Sequence, residues 1–196
     1  MNTYLMILFS MILVNNIVLA KFLGICSFLG LTKDLKNSMG MSMAVIFVML
    51  VATGLTYPIH HGLLTRWNLE YLDTVVFILV IASAVQVIEA IMRKTLPALY
   101  QALGIYLPLI TTNCAILGVM ISNIAEDYGF LQAMVASLGA GLGYTLAMFL
   151  FAGVVNRLKA ANPPKFMEGM PLTLMASGIV SVAFFGFKGI IESLFG

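Results

Sequence analysis

The sequence predicts an all-α integral membrane protein with six transmembrane helices. Hydrophobic residues make up 61% of the 196 positions and charged residues only 9%, with a mean hydropathy of +1.05. This balance excludes a soluble domain, which needs a more polar surface. The apolar stretches are too long for the roughly 10-residue strands of a membrane β-barrel. Each stretch fits a helix of about 20 residues crossing a bilayer core of about 30 Å.

The predicted spans account for nearly the whole chain, which we expect to form a single membrane domain, 1–196. They cover residues 4–31, 39–57, 73–92, 103–121, 130–155 and 171–195. The first stretch has no basic region before it, since the first cation is Lys21, and no small-residue cleavage site ends it. We therefore expect a first membrane helix rather than a signal peptide.

The cations in the loops predict the orientation of the chain. Seven Lys or Arg residues fall in the first, third and fifth loops, against one in the second and none in the fourth. Because Lys and Arg are retained on the cytoplasmic side, both termini are expected to be extracytoplasmic. The loop cations are Lys33, Lys36, Arg66, Arg93, Lys94, Arg157, Lys159 and Lys165.

A five-residue pattern, Cys-x-x-Leu-Gly, occurs twice, at residues 26–30 and 114–118. The copies lie in the first and fourth spans, so the chain divides into two halves of three spans, about 1–95 and 96–196. A repeat with an odd number of spans returns in the opposite membrane orientation. We therefore expect an inverted 3+3 repeat, with Cys26 and Cys114 related by a pseudo-two-fold axis in the membrane plane and a site near the midplane.

Both cysteine-bearing spans are predicted to contain broken helices. The first is about eight residues longer than a straight crossing needs and contains Lys21 and Gly24. The fourth contains Gly104, Pro108 and the polar run 111–113. Proline removes a helix donor and glycine relaxes the backbone. Because broken backbone inside a membrane must be buried in protein or line a cavity, such breaks point to a functional centre.

The paired cysteines have three interpretations on the residues alone. A disulfide is disfavoured by their predicted depth in the membrane, away from an oxidising surface. Two buried apolar cysteines are the simple structural alternative, since the thiol behaves as a small hydrophobe. Thiolate ligands to zinc or an iron–sulfur cluster would normally number four, so a second chain would have to supply the other two.

Two long segments resemble one family of membrane proteins. They are residues 15–26, NNIVLAKFLGIC, and residues 103–118, LGIYLPLITTNCAILG. Both resemble the A subunits of Rnf complexes, in the family that also contains the Rnf E subunit and the Nqr D and E subunits, and the resemblance extends over the whole chain. The E subunit of the sodium-pumping NADH:quinone reductase Nqr is the nearest alternative. The residues Asn15, Asn16 and Lys21 favour Rnf.

The resemblance implies an electron-transfer component of a ferredoxin:NAD⁺ oxidoreductase that couples redox flow to translocation of Na⁺ or H⁺. It implies that Cys26 and Cys114 bind the iron of one [2Fe-2S] cluster, shared with the paralogous Rnf E subunit of opposite topology. FMN, riboflavin and further Fe–S clusters are expected only in the other subunits, and the B, C, D and G subunits are expected partners. We assign no catalytic residue and no nucleic-acid partner to this chain. Its expected location is the lipid of a prokaryotic cytoplasmic membrane.

Polar residues near the cysteines are candidates for an ion path or for contacts to the cluster, with interhelical hydrogen bonding as the alternative role. They are Asn15, Asn16, Lys21, Thr111, Thr112 and Asn113. The glycines of 139–143 are predicted to form a close helix-packing face, since no strand precedes them as a dinucleotide fingerprint requires. His60 and His61 are expected to be solvated in the second loop.

Two other functions remain open from the sequence. A small secondary transporter or channel would also use an inverted repeat with broken helices. A purely structural assembly protein would tolerate serine at both cysteines.

Overall fold

The computed structural model describes residues 2–26, 35–65, 72–95, 110–160 and 169–195. These residues form helices joined by irregular segments, and no β-strand occurs among them. In chain order the helices are α1 (Asn2–Phe9), α2 (Leu35–Ile59), α3 (Asp73–Thr95), α4 (Cys114–Ala125), α5 (Phe130–Ala160) and α6 (Met170–Phe195). Two π-helical turns, Ser10–Val14 and His60–Leu64, extend α1 and α2.

The lengths of the apolar helices confirm the membrane class. Three apolar helical stretches are long enough to cross a bilayer: Ser38–Gly62 in α2 and the turn that follows it, Asp73–Ile91 in α3, and Phe130–Leu158 in α5. Shorter apolar helices occupy Tyr4–Val14, Cys114–Ala125 and Pro171–Gly186. The all-helical prediction is therefore confirmed over the described residues. Six complete crossings remain a prediction, since residues 27–34 and 96–109 lie outside the described residues.

The outward faces of α3 and α6 carry large apolar side chains. Leu79 is 65% exposed, Ile179 is 71% exposed and Val182 is 73% exposed. In water such surfaces would mark an interaction site or an aggregation hazard. In lipid, or against another membrane protein, they are the expected surface.

The glycines of α5 form the close-packing face that the sequence predicts. A Cβ built on Gly141 would lie 2.7 Å from Ile46 Cγ1 of α2, and one built on Gly139 would lie 3.1 Å from the Leu8 carbonyl oxygen of α1. A larger residue at either position would therefore push neighbouring helices apart. This packing brings α1, α2 and α5 together around the centre of the molecule.

The second predicted loop differs from the expectation for its histidines. The helix continues past Pro58 into the turn His60–Leu64, so His60 and His61 are helical rather than in a loop. His61 is exposed, but His60 is half-buried, with Nε2 3.5 Å from Asp73 Oδ2. The expectation of two solvated histidines is wrong for His60 because α3 begins beside it and covers its ring.

Candidate functional site

The first predicted span is broken, as its length, Lys21 and Gly24 indicate, and the break begins at Asn15 and Asn16. The π-helical turn ends at Val14, and the backbone through Gly24 follows no regular helix. Asn16 is fully buried and holds this irregular backbone on both sides of the break. Its Nδ2 donates to the Gly143 carbonyl at 2.8 Å and the Ile12 carbonyl at 3.1 Å.

The other end of the Asn16 amide satisfies the backbone that follows the break. Its Oδ1 accepts from the amides of Val18 at 3.1 Å and Leu19 at 3.3 Å. Those donors would otherwise be unpaired in an apolar environment, which costs several kcal/mol each. Of the two roles predicted for Asn16, the structure shows the hydrogen-bonding one.

The broken segment then runs antiparallel to α4. Lys21 Nζ donates to Ser122 Oγ at 2.6 Å, near the C-terminal end of that helix. Leu23 packs against Gly118, where an added Cβ would clash with Leu23 Cδ1. Gly24 reaches the first residue of α4. The segment Lys21–Gly24 therefore lies beside α4 from Ser122 back to Cys114.

A hydrogen bond joins the segment just before Cys26 to Cys114. The backbone N–H of Gly24, two residues before Cys26, donates to Cys114 Sγ at 2.8 Å. Gly24 has a φ of +84°, which L side chains rarely adopt, and its Cβ position lies 3.1 Å from Ala115 Cβ. Only glycine fits here without strain, because the backbone must approach the sulfur and the next turn of helix together.

Cys114 is the first residue of α4, where an anionic group is favoured. The Asn113 side chain caps the helix, its Oδ1 accepting from the Ala115 amide at 3.0 Å. This bond fixes the orientation of the amide, so its Nδ2 is a donor, and that buried donor has no hydrogen-bond partner among the described residues. Helix N-termini carry partial positive charge. The surroundings of the Cys114 sulfur are therefore rich in donors.

Both cysteines lie at or near the surface of the chain. Cys26 is exposed in the helical turn that begins at Ile25, Cys114 is half-buried, and neither is in a disulfide. The disulfide interpretation is therefore not supported. No group of three or more His, Cys, Asp or Glu side chains placed to hold a metal ion occurs in the described ranges. The rest of the first motif, 27–30, lies outside them.

The remaining candidate residues are dispersed around this centre. Lys21 is exposed and bonded to Ser122, eight residues along α4 from Cys114, which is about 12 Å at 1.5 Å per residue. Asn15 Nδ2 donates to Ser10 Oγ at 3.4 Å. Thr111 is half-buried and Thr112 is exposed. Gly104 and Pro108 lie outside the described residues. Of the break predicted there, the structure describes only the turn at Thr112 and Asn113, just before α4.

The sequence analysis did not identify a second polar region, a cleft of about 200 Å³ at the end of α2 and α4. We call it the polar cleft; its lining includes Thr53, Thr56, His60, Asn123, Asp127 and Tyr128. Burial, and then the nearby Glu126 carboxylate, raise the pKa of Tyr128, so its phenol stays protonated at neutral pH. The sequence signal that could have indicated this cleft was the polar residues Thr53 and Thr56 inside the otherwise apolar second span.

Comparison with known proteins gives matches over nearly the whole chain. Residues 4–191 match the family model described as Rnf-Nqr subunit, membrane protein. A protein of Acetobacterium woodii, named as the A subunit of the Na(+)-translocating ferredoxin:NAD(+) oxidoreductase complex, is 49% identical over 95% of this chain and 97% of its own. One of Syntrophotalea carbinolica, named as the A subunit of the ion-translocating oxidoreductase complex, is 49% identical over 97% of this chain and 99% of its own.

A protein of Shewanella baltica with the same name as the Syntrophotalea one is 47% identical over 98% of this chain and 100% of its own. Identity at this level over the full length of several relatives, together with the match to the family model, agrees with the resemblance seen in the two motif segments. The chain therefore belongs to the Rnf-Nqr family of membrane proteins.

Proposed function

We propose that this chain is the A subunit of an ion-translocating ferredoxin:NAD⁺ oxidoreductase complex, and that Cys26 and Cys114 supply half the ligands of one intramembrane [2Fe-2S] cluster. The names and full-length identity of its relatives support the complex. The observation that carries the ligand assignment is the hydrogen bond of Gly24 N–H to Cys114 Sγ, which brings the segment just before Cys26 to the second cysteine across 90 positions.

The residues around Cys114 fit an anionic iron–sulfur group. A cluster with four thiolates carries net negative charge, which is costly to bury without compensating donors. The Gly24 amide, the first turn of α4 and the unpartnered Asn113 Nδ2 are such donors. Hydrogen bonds to cluster sulfurs also tune reduction potential. The site therefore supplies compensation of the required sign.

When bound, a [2Fe-2S] cluster supplies a one-electron carrier. A carrier near the midplane would divide a transfer across a hydrocarbon core of about 30 Å into two shorter steps. The contribution of this chain is to hold two thiolates, orient backbone donors toward them, and exclude water with the apolar side chains packed around α4. We assign it no catalytic group of its own; flavins and further Fe–S clusters belong to other subunits in this proposal.

Exposure of the cysteines supports sharing of the cluster with a second chain. The sequence contains two cysteines, whereas a [2Fe-2S] cluster normally takes four. Cys26 is exposed and Cys114 half-buried, so both sulfurs are near a surface that a partner could cover. We propose the paralogous Rnf E subunit as that partner, with the B, C, D and G subunits completing the complex.

The proposed architecture is an inverted repeat of two three-helix halves in a prokaryotic cytoplasmic membrane, with both termini extracytoplasmic. The antiparallel contact of the segment around Gly24 with α4 supports the inversion. The loop cations support the orientation. An inverted paralogue would then place its own two thiolates across the same pseudo-two-fold axis.

The first test replaces each cysteine in the whole complex. We expect Cys26→Ser and Cys114→Ser each to remove the intramembrane [2Fe-2S] EPR signal and electron transfer from ferredoxin to NAD⁺, because each deletes one of four iron ligands. Ser83→Ala is the control: Ser83 is exposed on α3 and its hydroxyl donates to the Leu79 carbonyl of the same helix. Wild-type cluster content in either cysteine variant would show that the thiol is not a ligand.

The second test addresses sharing. Iron and acid-labile sulfide per polypeptide are measured for the chain expressed alone and co-expressed with the Rnf E subunit. We expect no stable cluster in the first preparation and one cluster per pair in the second, because one copy provides two thiolates. A full cluster in the isolated monomer would refute the shared site, and none in the pair would refute the four-cysteine assignment.

A further inference from the structure

The polar cleft has an arrangement that the electron-transfer role does not explain. Asn123 lies in the last turn of α4, is only 6% exposed, and lines the cleft. Its Nδ2 donates to Ser137 Oγ at 3.2 Å and is 3.5 Å from the Ala133 carbonyl, which orients the amide. Its Oδ1 is then a buried acceptor with no hydrogen-bond partner among the described residues.

Neighbouring hydroxyls have their protons committed elsewhere. The Ser137 and Thr53 oxygens are 2.6 Å apart, and Thr53 also donates to the Met49 carbonyl at 2.8 Å. Because Asn123 donates to Ser137, each group in this series donates a hydrogen bond to the next: Asn123 to Ser137, Ser137 to Thr53, and Thr53 to the Met49 carbonyl. Each hydroxyl has a single proton to donate. No donor in this chain of bonds is left for the Asn123 oxygen.

Thr56 presents lone pairs to the cleft for the same reason. Its hydroxyl donates to the Ala52 carbonyl at 2.7 Å, and Met120 Sδ, 3.2 Å away, has no proton to give. Asp127 adds an exposed carboxylate to the lining. Neither lysine nor arginine is among the described residues that line the cleft. The lining also includes the Tyr57 and Tyr128 hydroxyls and the His60 and His61 rings, each of which can donate as well as accept. The Asp127 carboxylate, with neither lysine nor arginine opposite it among the described lining residues, favours a positive occupant.

The small number of carboxylates in the polar cleft indicates a monovalent rather than a divalent cation. Asp127 is the acidic residue among the described residues that line the cleft, whereas Asp73 is outside that lining and contacts His60, with Oδ2 3.5 Å from Nε2. Ca²⁺ and Mg²⁺ sites normally draw on several oxygens including carboxylates. Neutral amide and hydroxyl oxygens with one carboxylate suit a monovalent cation, and about 200 Å³ leaves room for it to keep water ligands.

We propose that the polar cleft binds a partly hydrated Na⁺ ion, with Asn123 Oδ1 and Thr56 Oγ1 as protein ligands. In the proposed topology the cleft lies at the extracytoplasmic end, where an ion is taken up or released. The proposal rests on the ion translocation proposed above, and Na⁺ is chosen because a relative at 49% identity is named as Na(+)-translocating. It does not rest on the cluster.

The experiment measures Na⁺ affinity of the purified complex by ²³Na NMR and by the Na⁺ concentration at half-maximal ferredoxin:NAD⁺ activity. We expect Asn123→Leu to weaken both by about tenfold or more, as for loss of a ligand-shell contact, and Thr56→Val to weaken both severalfold. Thr145→Val and Asn156→Leu are matched controls. Thr145 makes the same bond to the fourth residue before it, at Gly141, and Asn156 is exposed on α5.

Unchanged Na⁺ affinity in Asn123→Leu or Thr56→Val would overturn the proposal. So would the absence of saturable Na⁺ binding by the wild-type complex, because the cleft would then hold only water. If Asn123→Leu prevents assembly, Thr56→Val decides alone. The cluster EPR signal is recorded for every variant and should be unchanged. A complex without the cluster that still binds Na⁺ would contradict the proposed function and leave this site standing.

Discussion

Gly24 is the position where one added methyl group tests the geometry of the cysteine site. In Gly24→Ala, a side chain must adopt a φ of +84°, at a cost of about 1–2 kcal/mol. The new Cβ would also lie 3.1 Å from Ala115 Cβ and 3.4 Å from Asn113 Oδ1. Overpacking of a tight site adds about 1–3 kcal/mol.

The added methyl group should alter the cluster as well as the stability of the fold. Ala115 is fully buried, so relief of the contact requires movement of the first turn of α4 or of the segment that carries the Gly24 amide. Either movement lengthens the Gly24 N–H to Cys114 Sγ bond. We expect a Tm several degrees lower, since 1 kcal/mol corresponds to about 2–4 °C for chains of this size, and a shifted or lost EPR signal.

The matched control is Gly153→Ala on α5, where an added Cβ meets nothing within 4 Å. Alanine in a helix interior is favoured over glycine by about 1 kcal/mol, so the Tm of this variant should stay or rise. The double variant Gly24→Ala, Ala115→Gly removes the steric part but keeps the unfavourable φ, so it should recover part of the signal. If Gly24→Ala matches Gly153→Ala in both Tm and EPR, the proposed contact with Cys114 is wrong.

Two further predictions concern the broken segment and the topology. Asn16→Ala should destabilise the chain by about 2–4 kcal/mol, because it leaves buried backbone groups at Gly143 and Val18 unpaired. The control Asn156→Ala, on the exposed face of α5, should not destabilise it. Equal Tm values for the two variants would refute the role of Asn16. A reporter enzyme fused after Gly196 should report the extracytoplasmic side, because of the seven-to-one distribution of loop cations, and cytoplasmic activity would refute both the orientation and the inverted pairing.

Local sequence predicted the features that depend on local chemistry. Apolar runs indicated the helical membrane class, and the excess length of the first span, with Lys21 and Gly24, indicated that its helix is broken, although the break itself begins earlier, after Val14. The small residues of 139–143 indicated a packing face, since closeness of approach follows directly from side-chain size. In each case the property lies within a short run of consecutive residues.

Contacts between distant segments were harder to predict. Lys21 was a candidate for an ion path or for contacts to the cluster, and its bond to Ser122 had no sequence signal, because it arises where the segment that follows the break runs along α4 in the opposite direction. His60 was expected in a solvated loop, but the start of α3 covers it. Nothing in the sequence marks the Gly24 amide as a hydrogen-bond donor to the Cys114 sulfur, since every glycine has the same N–H. These outcomes depend on the packing of elements that are separate in the sequence.

The irregular segment between α1 and Cys26 owes its conformation to the elements around it. Its backbone is held by the Gly143 carbonyl of α5 through Asn16, and by Ser181 of α6, whose hydroxyl donates to the Leu19 carbonyl. Its end is fixed by Gly24 against α4. In an apolar medium these polar contacts replace the hydrogen bonds that an unbroken helix would have made internally. The segment that leads to Cys26 is therefore held by three helices from the second half of the chain, and an intact cysteine motif alone would not fix its conformation.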